Sequence, residues 1–475
     1  MNCKTLMSGL LLMVSAVLPL TLLAQETSPP GQQGQLTQPT RLSPDEAVSL
    51  AIKNNLSLES ARVTSGTKKR ASDLSWNQFI PSVTVAGSLL RDNEKTEARE
   101  MDLSSLGFPG MKFPISQAQP QWHIAGNIQA SLNINIAMFE NMKRLRLDYE
   151  GGLVSYEKAK AQLERDVRKS YYSMLLLQEN IALLGESYAS AERQVNMAQA
   201  NYNAGLAPEL TLLQARVAME TMKPSIDQAE NGLKLSMAYF AMNLGLSYDT
   251  PFELIPVPEN TSFISLDTAD LISKAATGKP DIQELRQSIL MLQSARKAQI
   301  FALTPSLNLS WSSTSAFIRD PWKDPWFDSK DDWQKSGSLT IALALRLHSL
   351  LPFSADFQGI KNLDDQIKTA NIGLAQMVRG TEIEIYNTVL SLEKTRITAE
   401  AQAQTVNLAE RTYGLTEEAY RAGLQELMQV QNAELSLRQA RVQMLEQQFN
   451  YLNGLIDLEY SIGVPFGTLS DKRSK

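Results

Sequence analysis

Along this chain the hydrophobic period changes at a proline, and it does so twice. Leu50, Ile52, Leu56 and Leu58 open a helical run that continues to Trp76. Pro81 stops it, because proline lacks the amide a helix needs and disfavours helix in the residue before it. Beyond Pro81 the period falls to two: Val83, Val85, Gly87 and Leu89 alternate with Ser82, Thr84, Ala86 and Ser88. After a polar stretch, Ile128, Ala130, Leu132, Ile134 and Ile136 alternate with Asn127, Gln129, Ser131, Asn133 and Asn135. Pro305 repeats the switch, with Leu307, Leu309 and Trp311, then Leu339, Ile341, Leu343, Leu345 and Leu347 set against Ser338, Thr340, Ala342, Ala344 and Arg346. Ten-residue runs of this kind suit a half-buried sheet or strands that cross a membrane. Trp122, Phe139, Trp311, Phe317, Trp322, Trp326 and Trp333 near strand ends and loops favour the membrane, as an interfacial girdle.

Each hairpin is followed by a proline-free stretch, about 143–201 and 356–418, read as one long helix. The first is roughly 90 Å long at 1.5 Å per residue. Narrow apolar stripes on helices of that length pack side by side rather than round a compact core. Gly205 and Gly423 break these helices, and returning helices run through Leu212 to Leu244 and Val430 to Ile462, the first kinked at Pro224. Ser43, Pro44 and Glu46 supply a capping box for the first helix.

The two halves are copies. Phe79-Ile80-Pro81-Ser82-Val83 returns 224 positions later as Leu303-Thr304-Pro305-Ser306-Leu307. Tyr202-Asn203-Ala204-Gly205-Leu206 returns 218 later as Tyr420-Arg421-Ala422-Gly423-Leu424, and Asn243 to Leu246 keeps that shift with Ser461 to Val464. The six-residue difference is expected in the first surface loop. The organisation read from this is a signal peptide at 1–24, a disordered linker at 25–41 and a first repeat at 42–250, with hairpin about 82–138 and tip at 205. A linker at 251–265, a second repeat at 266–466 with hairpin about 306–347 and tip at 423, and a tail at 467–475 complete it.

Lys4, the apolar Leu10 to Leu23 and a cleavage site after Ala24 make the leader. Cys3 would leave with it, so the exported chain has no thiol, and its stability must come from packing or assembly. The formal charge of −6 is spread in mixed sign, which gives no nucleic-acid surface. Two distant histidines, His123 and His348, build no metal site, and no phosphate loop, dinucleotide turn or nucleophile elbow occurs. No cofactor and no enzyme activity is expected.

Four strands cannot close a barrel, and lipid tolerates no open strand edge. Chains must therefore associate, and two, three or four copies would give 8, 12 or 16 strands.

The duplication, the proline before each first strand, the Tyr-x-x-Gly-Leu turns at 202–206 and 420–424, and Gln214-Ala215 and Asn432-Ala433 beyond them resemble the TolC family of outer-membrane efflux and export ducts. The resemblance spans about Leu42 to Phe466. It implies an α+β membrane protein: a homotrimer whose four strands per chain complete a 12-strand β-barrel, above a periplasmic α-barrel of helical hairpins. It implies a passive exit duct of a tripartite efflux or type I secretion system. Its partners would be a periplasmic adaptor (membrane fusion) protein, an inner-membrane efflux pump or ABC exporter, and outer-membrane lipid. A helical scaffold or adaptor without a pore and a porin-like channel are the rival readings. Gly205, Leu206, Gly423 and Leu424 would form the adaptor-contact tips, and Asn127, Gln129, Asn133, Asn135 and Arg346 would face the barrel lumen. Some relatives carry aspartates six and nine residues after the second glycine and an arginine two after it. Here these are Gln429, Asn432 and Gln425, so the gate would be held by neutral amides, with Glu426 beside them.

Overall fold

The computed structural model describes residues 40–469 except 95–96, 105–106, 108, 117–119, 257–265 and 327–331. The leader, most of the 25–41 linker, part of the 251–265 linker and the tail from 470 lie outside the described residues.

Strand β1 (Thr40–Leu42) leads into α1 (Pro44–Asn54) and α2 (Leu56–Asp73). Ser43 caps α1 and Glu46 closes the box: the Glu46 amide donates to Ser43 Oγ at 3.3 Å, and the Ser43 amide to Glu46 Oε2 at 2.8 Å. The helical run to Trp76 is not continuous, because Asn55 ends α1 in extended backbone and caps α2 by accepting from the Ser57 and Leu58 amides. A short 3₁₀ turn, Ser75–Phe79, precedes Pro81.

Four antiparallel strands follow in two pairs: β2 (Ser82–Arg91) and β5 (Trp122–Ile134), then β7 (Ser306–Phe317) and β8 (Trp333–Ala344). Their order is β2-β5-β7-β8, so the two repeats share one sheet, joined by β5 and β7. The loop after β2 holds its own hairpin, β3 (Arg99–Asp102) with β4 (Lys112–Ser116), which the sequence pattern does not announce.

Helix α3 (Ala137–Asn203) and its copy α8 (Ala355–Arg421) are each 67 residues, about 100 Å long. Gly151-Gly152 does not interrupt α3; Gly152 lets it lie close to Lys68 of α2. The first return helix is two helices, α4 (Glu209–Glu220) and α5 (Lys223–Asn243), with Pro224 at the start of α5. Proline is at ease in a first turn and destructive in an interior, so the kink becomes a break. The second is one helix, α9 (Leu427–Ile462).

The six-residue difference between repeats lies wholly between the proline and the long helix, but not all in the surface loop. That loop spans 92–121 in the first repeat and only 318–332 in the second. The second repeat recovers part of the length between β8 and α8, in a segment with a 3₁₀ turn at Leu347–Leu350.

Two matching cores sit midway along the helices. Val167, Phe240 and Leu244 fill the first, and Ile385, Leu458 and Ile462, each 218 positions later, fill the second. Each such side chain contributes about 1.5–3 kcal/mol by leaving water. The first core also holds a parallel pair inside spans read as linkers: β1 lies beside β6 (Phe252–Leu254). Tyr171 fixes that pair: its hydroxyl accepts the Ile255 amide at 2.9 Å and lies 2.7 and 2.8 Å from the Leu42 and Ile255 carbonyls. Burial pushes that hydroxyl up to about 12. The second core takes Leu271 and Ala275 from α6 (Thr268–Gly278), which α7 (Pro280–Phe301) follows; the two copy α1 and α2.

Candidate functional site

The sheet has two chemically distinct faces, and the register makes each continuous across all four strands. Val85, Ile128 and Ser313 lie in one row, Val83, Ala130, Trp311 and Leu339 in the next, and Leu132, Leu309 and Ile341 beyond. Leu339 is 71% exposed, Ile341 66% and Val85 75%, so this apolar face has no cover within the chain. On the other face Thr84, Gln129, Ser312 and Ser338 form one row and Ala86, Asn127, Thr314 and Ser336 another. Neighbouring strands are joined there by side chains. Ser82 and Ser131 hydroxyls are 2.8 Å apart, Ser312 and Ser338 3.2 Å, and Asn133 Nδ2 donates to Asn308 Oδ1.

Asn127, Gln129 and Asn133 therefore share the polar face. Asn135 lies one residue past β5, where its Oδ1 accepts the Met138 amide and starts α3. Arg346 lies two residues past β8, exposed, at the head of the 3₁₀ turn. Asn308 belongs to this cluster as well; a lone asparagine in a strand pattern gave no reason to single it out. The aromatics divide by level. Trp122 stacks edge-on against Trp322 at 5.7 Å and Phe317 against Trp333 at 5.4 Å at one end of the sheet, while Phe79 and Phe139 meet at 5.6 Å at the other. Trp311 stands mid-strand on the apolar face, not in either band.

The tips are two copies of one turn. Gly205 and Gly423 have φ of 74° and 75°. In the first, the Leu206 amide reaches the Asn201 carbonyl at 2.8 Å and the Gly205 amide reaches Tyr202 at 2.9 Å; the second repeats these bonds with Leu424, Ala419, Gly423 and Tyr420. This is a Schellman ending, in which glycine supplies the left-handed residue. It leaves Leu206 and Leu424 each 78% exposed. Leu427 of the second tip is buried with Ala198, Leu212 and Ala215 of the first, which locks the two together. Gln425 lies in the turn, Glu426 heads α9, and Gln429 and Asn432 follow at three-residue steps on its exposed side, away from buried Leu427 and Val430.

Comparison places this architecture. Residues 47–238 match the family described as outer membrane efflux protein. The second repeat builds the same hairpin-and-helix unit from its own sequence. That match covers the first repeat and marks it as similar to the family. The description of the matched family is of an outer membrane protein that works in efflux. The fold is shared with CusC, at 15% identity and a TM-score of 0.70, over 89% of this chain and 92% of that one. The Campylobacter jejuni CmeC outer membrane channel aligns at 14% and 0.69, over 88% and 85%. VceC of Vibrio cholerae, an outer membrane protein, aligns at 14% and 0.68, over 89% and 96%. No curated protein matches the chain in sequence.

Among the described residues no helix is long and apolar enough to cross a membrane, and no cluster of three or more His, Cys, Asp or Glu could hold a metal.

Proposed function

We propose that three copies close a 12-strand barrel and that the assembly is a passive exit duct. It would take cargo from an inner-membrane efflux pump or ABC exporter through a periplasmic adaptor (membrane fusion) protein. One observation carries this: a four-stranded sheet with an uncovered apolar face, a polar face and two unpaired edges, β2 and β8, stands at the end of helices about 100 Å long. An apolar face of that size in water is unaccounted for, and a strand edge in lipid is forbidden. Association with lipid outside and β2 against β8 of the next copy satisfies both.

In this assembly Asn127, Gln129 and Asn133 line the lumen, with Asn135 and Arg346 at its lower rim. Leu206 and Leu424 reach into apolar pockets of the adaptor. Gln425, Gln429 and Asn432 form the constriction, with Glu426 its nearest charge. Nothing in the duct performs a reaction, so energy comes from the inner-membrane partner.

The test is fractionation followed by electrophoresis and planar-bilayer recording. The reading requires outer-membrane trimers that resist SDS until heated, and discrete single-channel steps. A soluble periplasmic monomer without conductance would instead make the chain a helical scaffold.

A further inference from the structure

Ten residues, 345–354, separate β8 from α8, where only 135–136 separate β5 from α3. The added segment is folded rather than loose. The Ser349 and Leu351 amides donate to the Arg346 and His348 carbonyls at 3.2 and 3.3 Å. Ser354 Oγ donates to the Ser349 carbonyl at 3.0 Å and accepts the Phe357 amide at 3.2 Å. That fixed turn holds apolar side chains in the open: Leu347 is 69% exposed and Phe353 78%, with Leu350 half-exposed between them. A second uncovered apolar pair stands at the same end of the sheet, beside its other free edge. Trp76 and Ile80, each 54% exposed, lie in and just after the 3₁₀ turn that leads into β2.

We infer that the 345–354 segment of one chain clasps the base of β2 in the next, with Leu347, Leu350 and Phe353 covering Trp76 and Ile80. The inference rests on the proposed closure of β2 against β8 of a second copy. Antiparallel pairing there sets the end of β8 beside the start of β2, so the two apolar groups arrive at one joint and one level. The chain already contains a joint of this kind. Phe79, before β2, packs on Phe139, after β5, at 5.6 Å, so the segment entering one strand meets the segment leaving its antiparallel neighbour. Lipid is the rival occupant, and the duplication argues against it. Both hairpins would face the same bilayer, yet only the segment that follows the edge strand is enlarged. An uncovered apolar turn beside an open strand edge marks a docking surface. Its hydrogen-bonded backbone lowers the ordering cost of docking, and Trp76 supplies the kind of side chain that anchors interfaces.

The test is Phe353→Cys coupled to a benzophenone label and irradiated in outer-membrane vesicles. The expected product is a two-chain band whose cross-link maps by mass spectrometry to residues 74–80 of the second chain. Leu347→Ser combined with Phe353→Ser should lower the temperature at which SDS releases monomers from the trimer, and Trp76→Ala should lower it similarly. All three together should lower it little further, because they remove one contact. Trimers whose label enters lipid, or any other part of the protein, would overturn the clasp and leave the barrel standing. Fully additive losses from the two sides would overturn it as well. Monomers alone from the unlabelled natural chain would remove the clasp and the barrel together.

Discussion

At Gly205 and Gly423 the backbone is left-handed and the space beside it is open, whereas at Gly245 and Gly463 the place of a Cβ is already occupied by the Asn54 and Gly278 carbonyl oxygens. The first pair only turns the chain. The second also seats the end of each return helix on the joint between two short helices, α1 and α2 or α6 and α7. Gly423→Ala should therefore cost about 1–2 kcal/mol, the strain of a left-handed residue with a side chain. Gly463→Ala should cost clearly more, read as a larger fall in the thermal midpoint. Lys158 of α3 ties the repeats, 2.7 Å from Asp281 and 2.8 Å from Glu284 of α7. The Lys158 bond lowers the Glu284 carboxyl, and Asp281 first and Glu284 next raise the lysine. A lowered carboxyl stabilises the fold above its ordinary value of 4.5 and loses that contribution as pH falls through the lowered value. Partial exposure limits the bridge to about 1 kcal/mol. Lys158→Met should thus lower the midpoint at pH 7, and the gap to the natural protein should close in acid. On the proposal that Gln429 lines the constriction, Gln429→Asp should raise cation selectivity and divalent block in planar bilayers. No change in either would remove Gln429 from the gate.

Strands and helices differ in how much of themselves they expose to a reader of sequence. The sheet faces were legible because a two-residue period and a proline start are local signals, and the ladder then brings like faces together across β2, β5, β7 and β8. The long helices were legible for the same reason, being long and proline-free. The β1–β6 pair was not, since three residues carry no period and its partner lies over 200 positions away, fixed by the Tyr171 hydroxyl. The β3–β4 hairpin hid in a charged loop, and the break at Asn55 hid because one asparagine inside a helical pattern costs little until its side chain caps the next helix. The partial burial of Glu434 was missed for a different reason: a glutamate on a long helix reads as solvated, and only its neighbours on α3 and α8 bury it. Face assignment has a direct consequence. Ile341→Lys puts charge into lipid at about 2–4 kcal/mol if it lies near the midplane, whereas Ser338→Lys, on the opposite face three residues away, faces water. Outer-membrane yield of SDS-resistant protein should drop for the first and hold for the second. Equal losses would mean that the faces are reversed or that the sheet does not meet lipid.

At the scale of the molecule, two copies of one unit are welded by contacts the duplication does not repeat. Lys169 reaches Asp457 at 2.7 Å, Arg165 lies over the Tyr460 ring at 4.7 Å, and Leu427 enters the core of the first tip. These fix one repeat against the other, so the sheet presents two different edges, β2 from the first repeat and β8 from the second. Edges that differ cannot meet their own kind about a twofold axis without leaving the other pair open. They join head to tail, and the rotation per copy decides whether a ring closes. The alternation limits the joint further: Val83 and Val85 must share the lipid face with Leu339, Ile341 and Leu343 of the next copy, so only even register shifts are allowed. Cysteines placed at Val85 and, in turn, at Leu339, Ile341 or Leu343 test this, because the one natural thiol, Cys3, is expected to leave with the leader. Oxidation should join chains into a ladder that ends at three, with one β8 position far more efficient than the others. Pairing Val85 instead with Ser338 or Thr340, on the other face, should give little product. A ladder that runs past three would exclude the 12-strand closure, and monomers at every pairing would show that these two edges never meet.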